Sequence, residues 1–397
     1  MELVFNFLQF ILIQTKITSM NKRKCIGILG GGQLARMSAY QAYKLGFDIA
    51  ILEKTKNSPA GQLTHNEFVG WVDDHKLIRL FAKDCDIVTL ENEFVDYHHL
   101  EYLEKLGKKV FPSSKTISLI QDKFIQKKTL FKKGIPVPKF FEVTNKHTYK
   151  ACAEAVGEKF VLKSRKLGYD GYGNALINNE ADYIAAIDKL QTRHPKLLAE
   201  EFVSFDKELA VMVARTKKEI VCYPVVETIQ KNHICHTVIA PADVDESIKE
   251  KVKEIAVQCV KAVNGIGIFG IELFLTTSGE ILVNEMAPRP HNSGHYTIEA
   301  CVTSQFENHI RAVMNLPLGS TELVKPAAVM VNLLGKTNGL AEPKNYNKAL
   351  SNPDLHVHLY GKEETRKGRK MGHITLLGDS ADELVKTAKK IEESIIY

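Results

Sequence analysis

A chain of 397 residues, 44% hydrophobic and 25% charged, is long enough for roughly two or three cores and has the balance of an ordinary water-soluble protein. Its formal charge of +6 and pI near 8.7 come from dispersed lysines without interleaved aromatics, which argues against a nucleic-acid groove and for a local pocket that takes anionic metabolites. Seven cysteines, an odd number with no C-x-x-C pair, exclude a zinc ribbon and a complete disulfide set and point to a reducing cytoplasm.

The first segment, Met1 to Ser19, holds an apolar patch from Val4 to Ile13 that is too short for a membrane span and lacks a basic start or a small-residue cleavage pattern. Met20 stands just ahead of the first strand, so residues 1–20 are expected to be a dispensable extension, and no membrane partner is expected. From Cys25 the pattern runs strand, glycine loop (Gly30-Gly31-Gly32-Gln33), helix (Leu34 to Leu45) and strand (Gly46 to Glu53). Such a unit favours a parallel sheet with anion-binding amides at the helix N-terminus. The spacing is G-x-x-G-G-G rather than G-x-G-x-x-G, so no NAD site is expected, although Glu53 occupies the strand end where a ribose-binding acid would sit. Strands at Asp86 to Glu91 and Lys108 to Phe111, around a helix from Tyr97 to Leu106, complete an α/β domain over 21–112.

Ser113-Ser114 caps a single expected helix that Gly134 ends, with Asp122, Lys123, Lys127 and Lys128 on a face read as solvated apart from Lys123. A strand from Glu158 to Lys163, a loop Gly168-Tyr169-Asp170-Gly171-Tyr172-Gly173-Asn174, a returning strand Ala175 to Ile177, a helix, and a strand-like run Leu197 to Val203 follow. Three glycines in seven residues free the backbone to wrap an anion, and Lys163 can reach a phosphate as a point charge. The stretch reads equally as a mobile lid over phosphates and as a plain glycine-rich hairpin. Further strands are expected at Glu208 to Arg215, Ile220 to Val226 and His233 to Ile239, then a helix from Val244 to Val263. His233, Cys235 and His236 read as ordinary strand residues rather than metal ligands.

The stretch from Phe269 to His295 is the most informative. Apolar runs flank Thr276-Thr277-Ser278-Gly279-Glu280, a turn cluster whose glycine suits a tight reversal, so two antiparallel strands are expected. That pairing brings Glu272 on one strand towards Asn284 and Glu285 on the other, where their oxygens can share a hard cation such as Mg²⁺. Arg289, His291 and Asn292 follow, interleaved with prolines, and an amphipathic segment runs from Thr297 to Met314. Beyond Pro317-Leu318-Gly319 come short strands at Ala327 to Leu333, His356 to Tyr360 and His373 to Leu377, a basic loop Gly361 to Gly372, and a final helix Ala381 to Ile395.

With these stretches in place, the chain resembles the ATP-grasp superfamily and, within it, the family of biotin-independent 5-(carboxyamino)imidazole ribonucleotide synthases. The resemblance runs from about Cys25 to the last helix and rests on Gly30-Gly-Gly-Gln-Leu-Ala-Arg-Met37, Lys163 with Gly168 to Asn174, Asn284-Glu-Met-Ala-Pro-Arg-Pro-His-Asn-Ser-Gly-His295, and Tyr360-Gly-Lys with Gly368-Arg-Lys-Met-Gly-His373. It implies an α/β and α+β fold of ATP-grasp architecture: an N-terminal parallel-sheet domain (21–112), an ATP-grasp domain (113–319) with a lid subdomain at about 139–203, and a small C-terminal domain (320–397).

The resemblance further implies carboxylation of aminoimidazole ribonucleotide by bicarbonate and ATP through carboxyphosphate, with Mg²⁺ as the cofactor, no biotin, and a cytoplasmic homodimer. By the same resemblance the nucleotide is held by Lys123, Lys163, the lid from Gly168 to Asn174, the hinge Glu200, Glu201, Phe202 and Val203, the ribose ligand Glu208, and Asn284 with Glu285. Glu272 and Glu285 hold the metal. The other substrates fall to Tyr169, Asp170, Arg289, His291, Asn292, Lys362 and Arg369. Gln230 stands where the family commonly has histidine, Lys367 where proline is usual, and Ala35 where glycine is frequent. A sister ligase that activates formate for glycinamide ribonucleotide shares the acids and the lid, but the Arg289 to Asn292 run and the Lys362/Arg369 loop speak against it. A non-catalytic nucleotide sensor would not need both acids.

Overall fold

The computed structural model describes residues 23–144, 147–168, 173–192 and 195–395, so the expected extension 1–20 and the lid residues Tyr169, Asp170, Gly171 and Tyr172 lie outside the described residues. Cys25 to Leu29 are five consecutive buried residues, the signature of a strand covered on both faces. They form β1, the middle of a parallel sheet ordered β3-β2-β1-β4-β5, with β2 (Asp48–Glu53), β3 (Glu67–Val69), β4 (Ile87–Leu90) and β5 (Lys109–Val110). Helix α1 (Gln33–Lys44) packs Ala35, Ala39 and Ala42 on one side of the sheet. Helices α2 (His75–Asp84) and α3 (Tyr97–Lys105) cover the other with Ile78, Phe81, Leu100 and Leu103. Helix α2 is not among the elements expected from the sequence, although its signal is present: Asp74 caps it by accepting from the amides of Lys76 and Leu77.

The single helix expected after Ser113 is two, α4 (Ser114–Ile120) and α5 (Lys123–Lys132). Asp122 interrupts it in an extended conformation and caps the second helix, accepting from the amides of Phe124 and Ile125. Strands β6 (Phe140–Val143), β7 (Phe160–Ser164), β8 (Asn174–Ile177) and β9 (Leu197–Glu201) form an antiparallel sheet ordered β6-β9-β7-β8. It is backed by α6 (Tyr149–Val156) and α7 (Glu180–Gln191) around Phe160, Leu162 and Tyr183.

A nine-stranded antiparallel sheet carries the rest. Its strands include β10 (Phe205–Arg215), β11 (Ile220–Cys222), β12 (Val226–Lys231), β13 (Ile234–Ala240), β14 (Gly267–Thr276), β15 (Ile281–Ala287) and β16 (Ala327–Leu334). The run expected as one strand from Ile220 to Val226 is split into β11 and β12. A small pair is made by β17 (Gly339–Leu340) and β19 (Glu364–Thr365), while β18 (Leu355–Leu359) and β20 (Lys370–Gly378) join the large sheet in the order β15-β14-β10-β12-β13-β16-β20-β18. Because β13 pairs with β16, with Thr237 opposite Val331, the sheet runs unbroken across position 319/320, and the C-terminal strands extend the central sheet.

Alternation sends Leu209, Val211, Val213, Phe269, Ile271 and Leu273 into a core with α8 (Glu246–Ala262), and Ala210, Met212, Ala214 and Ile268 into a second core with Tyr296 and Ala300. The amphipathic segment after Ser293 is divided into α9 (Thr297–Ala300) and α10 (Gln305–Val313), the latter capped by Ser304. Two further helices, α11 (Tyr346–Ala349) and α12 (Ala381–Ser394), complete the C-terminal region. Among the described residues no helix is long and apolar enough to cross a membrane.

Candidate active site

The hairpin forms as its turn residues dictate. The amide of Gly279 donates to the Thr276 carbonyl at 2.9 Å, the hydroxyl of Thr276 accepts from the Glu280 amide at 2.9 Å, and Gly279 takes a φ of 83°. The register places Glu272 directly opposite Glu285. Regular alternation would send the adjacent Asn284 and Glu285 to opposite faces. A bulge prevents this: Leu273 pairs with Val283, so Asn284 and Glu285 together oppose one residue. The phase of β15 shifts accordingly, with Ile281, Val283 and then Met286 in the core, and Asn284 Nδ2 lies 3.4 Å from Glu272 Oε2.

Electrostatics separate the two acids. Burial, and next the charge of Glu285, raise the Glu272 pKa. Burial also pushes Glu285 upward, but Lys123, which donates to its Oε2, holds it well below the usual carboxylate range. Burial, the largest single influence, pushes Lys123 down, but the charge and hydrogen bond of Glu285 together with the charges of Glu200 and Glu272 leave it raised. Two carboxylates face each other here with a single lysine on one of them, which is an oxygen-donor set short of positive charge. The residues fit a hard divalent cation such as Mg²⁺.

Around this pair the expected nucleotide residues converge from three elements. Lys163, on β7, reaches Glu200 Oε1 at 2.5 Å and Asn284 Oδ1 at 3.4 Å. Glu200 is buried on β9 rather than open at the hinge, and its other oxygen lies 2.7 Å from Lys127. Lys127 is therefore buried, not solvated as its helix face suggested, and burial pushes it down to about 8 despite Glu200. Asp122, read as part of that same solvated face, is likewise buried, in a two-pronged pair with Arg165. Beyond Glu200, the Glu201 amide donates to the Lys139 carbonyl at 2.9 Å, Phe202 is exposed with the Lys159 ammonium 3.9 Å from its ring centre, and Val203 is half-buried. Glu208 is raised by burial, and Gln230, the residue that replaces the family histidine, lies near enough to oppose that shift. Of the lid, Gly168, Gly173 and Asn174 are described: Asn174 pairs with Lys163 across the β7–β8 hairpin, and the Gly173 carbonyl accepts from Ser164.

On the other side of the acids, Arg289 makes a two-pronged pair with Glu93, Nε to Oε2 at 2.5 Å and NH2 to Oε1 at 3.1 Å. His291 lies with Nε2 3.4 Å from Glu272 Oε1 and Nδ1 2.8 Å from the Ser293 hydroxyl. Burial, and next the Arg289 charge, push it down to about 4, so the ring is neutral. Room for it comes from Gly270 in β14, where a Cβ would fall 2.5 Å from the His291 Cβ. Asn292 is locked in a reciprocal amide pair with Asn332 of β16, at 3.0 and 2.6 Å. Lys362 donates to the Lys370 carbonyl at 2.6 Å, and Arg369 to the Glu364 carbonyl at 2.7 Å, which shapes the basic loop.

The N-terminal glycine loop faces inward. The amides of Gly32 and Leu34, at the start of α1, donate to the buried carboxylate of Glu91 at 2.9 and 3.3 Å, and the amide of Gly31 donates to Glu53 at 2.8 Å. A Cβ on Gly32 would lie 2.1 Å from Glu91 Oε1. The helix N-terminus that suggested a dinucleotide phosphate thus holds the protein's own acid. Glu91 and Glu93 were missed in the sequence, yet they follow β4, whose end meets that of β1 where the strand order reverses, the usual place for function in an open parallel sheet.

His233, Cys235 and His236 form no metal cluster; His236 bonds the Thr237 hydroxyl at 2.9 Å. Glu299, His358 and His373 do lie close together, but the two imidazoles stack at 9° between planes, so no cation can lie in both ring planes without rotating one.

Three family models cover most of the chain: a ribonucleotide synthetase preATP-grasp domain over residues 23–121, an ATP-grasp domain over 128–306, and a phosphoribosylaminoimidazole carboxylase C-terminal domain over 328–387. The chain is 44% identical to a chloroplastic phosphoribosylaminoimidazole carboxylase of Vigna aconitifolia, matching 89% of this chain and 64% of that protein, so it spans less than two thirds of that relative. It is 40% identical to the N5-carboxyaminoimidazole ribonucleotide synthase of Bacillus subtilis, covering 91% of this chain and 93% of the relative. Among solved structures, the N5-carboxyaminoimidazole synthase of Aspergillus clavatus in complex with ADP and 5-aminoimidazole ribonucleotide superposes with a TM-score of 0.85 at 37% identity, covering 94% of this chain and 98% of that one.

Proposed function

The chain belongs to the family of N5-carboxyaminoimidazole ribonucleotide synthases within the ATP-grasp enzymes, and from that premise we propose that it uses ATP to carboxylate 5-aminoimidazole ribonucleotide with bicarbonate, releasing ADP and phosphate, in de novo purine biosynthesis. The observation that carries this reading is the placement of Glu272 opposite Glu285, with Lys123 and Lys163 on one side and Arg289 and His291 on the other.

Bicarbonate is a poor acylating agent until an oxygen carries a phosphoryl group. Transfer breaks the bond between the γ-phosphorus and its bridging oxygen, ADP leaves, and carboxyphosphate forms. The ribonucleotide amine then attacks the carboxyl carbon, the C–N bond forms, phosphate departs, and the amine loses a proton. Glu272 and Glu285 would hold a Mg²⁺ ion, which when bound would neutralise phosphate charge during transfer.

Lys123 and Lys163 contact the nucleotide phosphates, Glu208 the ribose, and residues 201–203 the adenine edge, with Glu200 held back by its two lysines. Arg289, held in a fixed plane by Glu93, retains the carboxyphosphate. His291 is neutral and so able to accept or donate one hydrogen bond to the reacting carboxyl group. Asn292 braces this run through Asn332. Lys362 and Arg369 take the 5′-phosphate of the ribonucleotide. A cytoplasmic location and a homodimer are further parts of the proposal and rest on the family resemblance alone.

The test is ADP release from purified protein given ATP, Mg²⁺, bicarbonate and aminoimidazole ribonucleotide. Release that requires both bicarbonate and the ribonucleotide is expected. Turnover that instead requires formate and glycinamide ribonucleotide contradicts the assignment.

A further inference from the structure

Behind Lys163 lies a second buried lysine with no role in the scheme above. Lys127, on α5, is 3% exposed; its Nζ donates to the Val283 carbonyl at 3.1 Å and lies 2.7 Å from Oε2 of Glu200. Glu200, 2% exposed, has its other oxygen 2.5 Å from Lys163 Nζ. Two ammonium groups therefore share one carboxylate, and the trio carries one net positive charge. Taken alone, Glu200 and Lys163 would cancel, and the lysine that faces Asn284 would offer a phosphate little attraction.

Stability does not call for the third ion. A buried ion cluster can generally be replaced by apolar side chains of similar volume at little or no cost, whereas a buried charge that stays must be matched. Lys127 also bridges α5, β9 and the backbone of β15, so it ties the sheet that bears Lys163 to the hairpin that bears the two acids.

We propose that Lys127 is a positioning residue for the nucleotide site: by taking up the charge of Glu200 it leaves the positive charge of Lys163 uncompensated and directed at the nucleotide phosphates. The proposal rests on Lys163 being a phosphate contact. It predicts a defect confined to ligands that carry phosphates, which a loss of packing would not produce.

The test is calorimetric titration of the full chain with MgATP and, separately, with adenosine. Lys127→Met, of similar length and uncharged, is expected to raise the Kd for MgATP about ten-fold or more while leaving that for adenosine within two-fold. The double variant Lys127→Met/Glu200→Gln removes the competing carboxylate as well and is expected to recover most of the MgATP affinity. A single variant whose MgATP affinity is unchanged, a parallel loss of both ligands, or a double variant without recovery overturns the role of Lys127. Wild-type protein that binds MgATP no tighter than adenosine would instead overturn the phosphate role of Lys163, a result read before any variant is made.

Discussion

Two regions of the molecule look like ligand sites on paper, the glycine loop that opens α1 and the hairpin formed by β14 and β15, and they resolve oppositely. At the loop, three backbone amides donate to carboxylates the protein itself supplies, Glu91 and Glu53, so that although burial raises Glu91 its two oxygens have donors without any ligand. At the hairpin, two carboxylates are set against each other with one lysine on only one of them, which leaves Glu272 raised by burial and by Glu285. The loop supplies donors to its own acids, whereas the hairpin leaves one acid without a lysine partner, and the proposed metal site rests on that difference. A site is recognised less by its residue types than by whether the fold has already balanced them.

The sharpest way to break that contrast is Glu285→Gln, which keeps the shape and removes the charge. Turnover is expected to fall by about a thousand-fold or more with circular dichroism unchanged; near-normal turnover contradicts the metal assignment. A second test uses the joint between the two regions. His309 Nδ1 accepts from the Ile268 amide of β14, and its Nε2 donates to the Thr89 hydroxyl of β4. Burial pushes this histidine down to about 4. In the unfolded chain it titrates near ~6.5, so between those values the unfolded state binds more protons and stability falls as pH falls. The contribution lost between about pH 6.5 and pH 4 is on the order of 3 kcal/mol, and urea melts of His309→Gln should lack that part of the slope.

The loop has its own variant. Glu91→Gln turns an amide NH₂ towards a backbone N–H and is expected to cost about 1–3 kcal/mol of stability while the MgATP affinity stays put. Loss of nucleotide binding in that variant would show that the loop is not merely structural. The smallest expected effect is that of Lys362→Ala, a roughly ten-fold rise in KM for the ribonucleotide with little change for ATP. Equal weakening of both would count against its phosphate role.

The hairpin was legible in the sequence because the turn cluster Thr276 to Glu280 pins the register as far as Leu273 opposite Val283 and so brings Glu272 to the Asn284–Glu285 step, although it is the bulge that sets Glu285 itself opposite Glu272. The bulge at Asn284 was not, since nothing in a period-two pattern announces it; it shows afterwards in the step from Val283 to Met286 between core positions. Lys127 and Asp122 were misread because a helix face rich in charge looks solvated until another sheet covers it, and Glu200 and Arg165 come from that sheet. The break between α4 and α5 follows from the same residue, Asp122, which caps more readily than it continues a helix. Glu93 stayed hidden because its partner, Arg289, is distant in sequence and meets it only once the strand order is known.

The proposed cation between Glu272 and Glu285 can be counted directly. Free Mn²⁺ followed by electron paramagnetic resonance, titrated into protein with ADP, reads it without catalysis. Wild-type protein is expected to take up one tightly bound ion that Glu272→Gln loses; equal uptake by both would contradict the account.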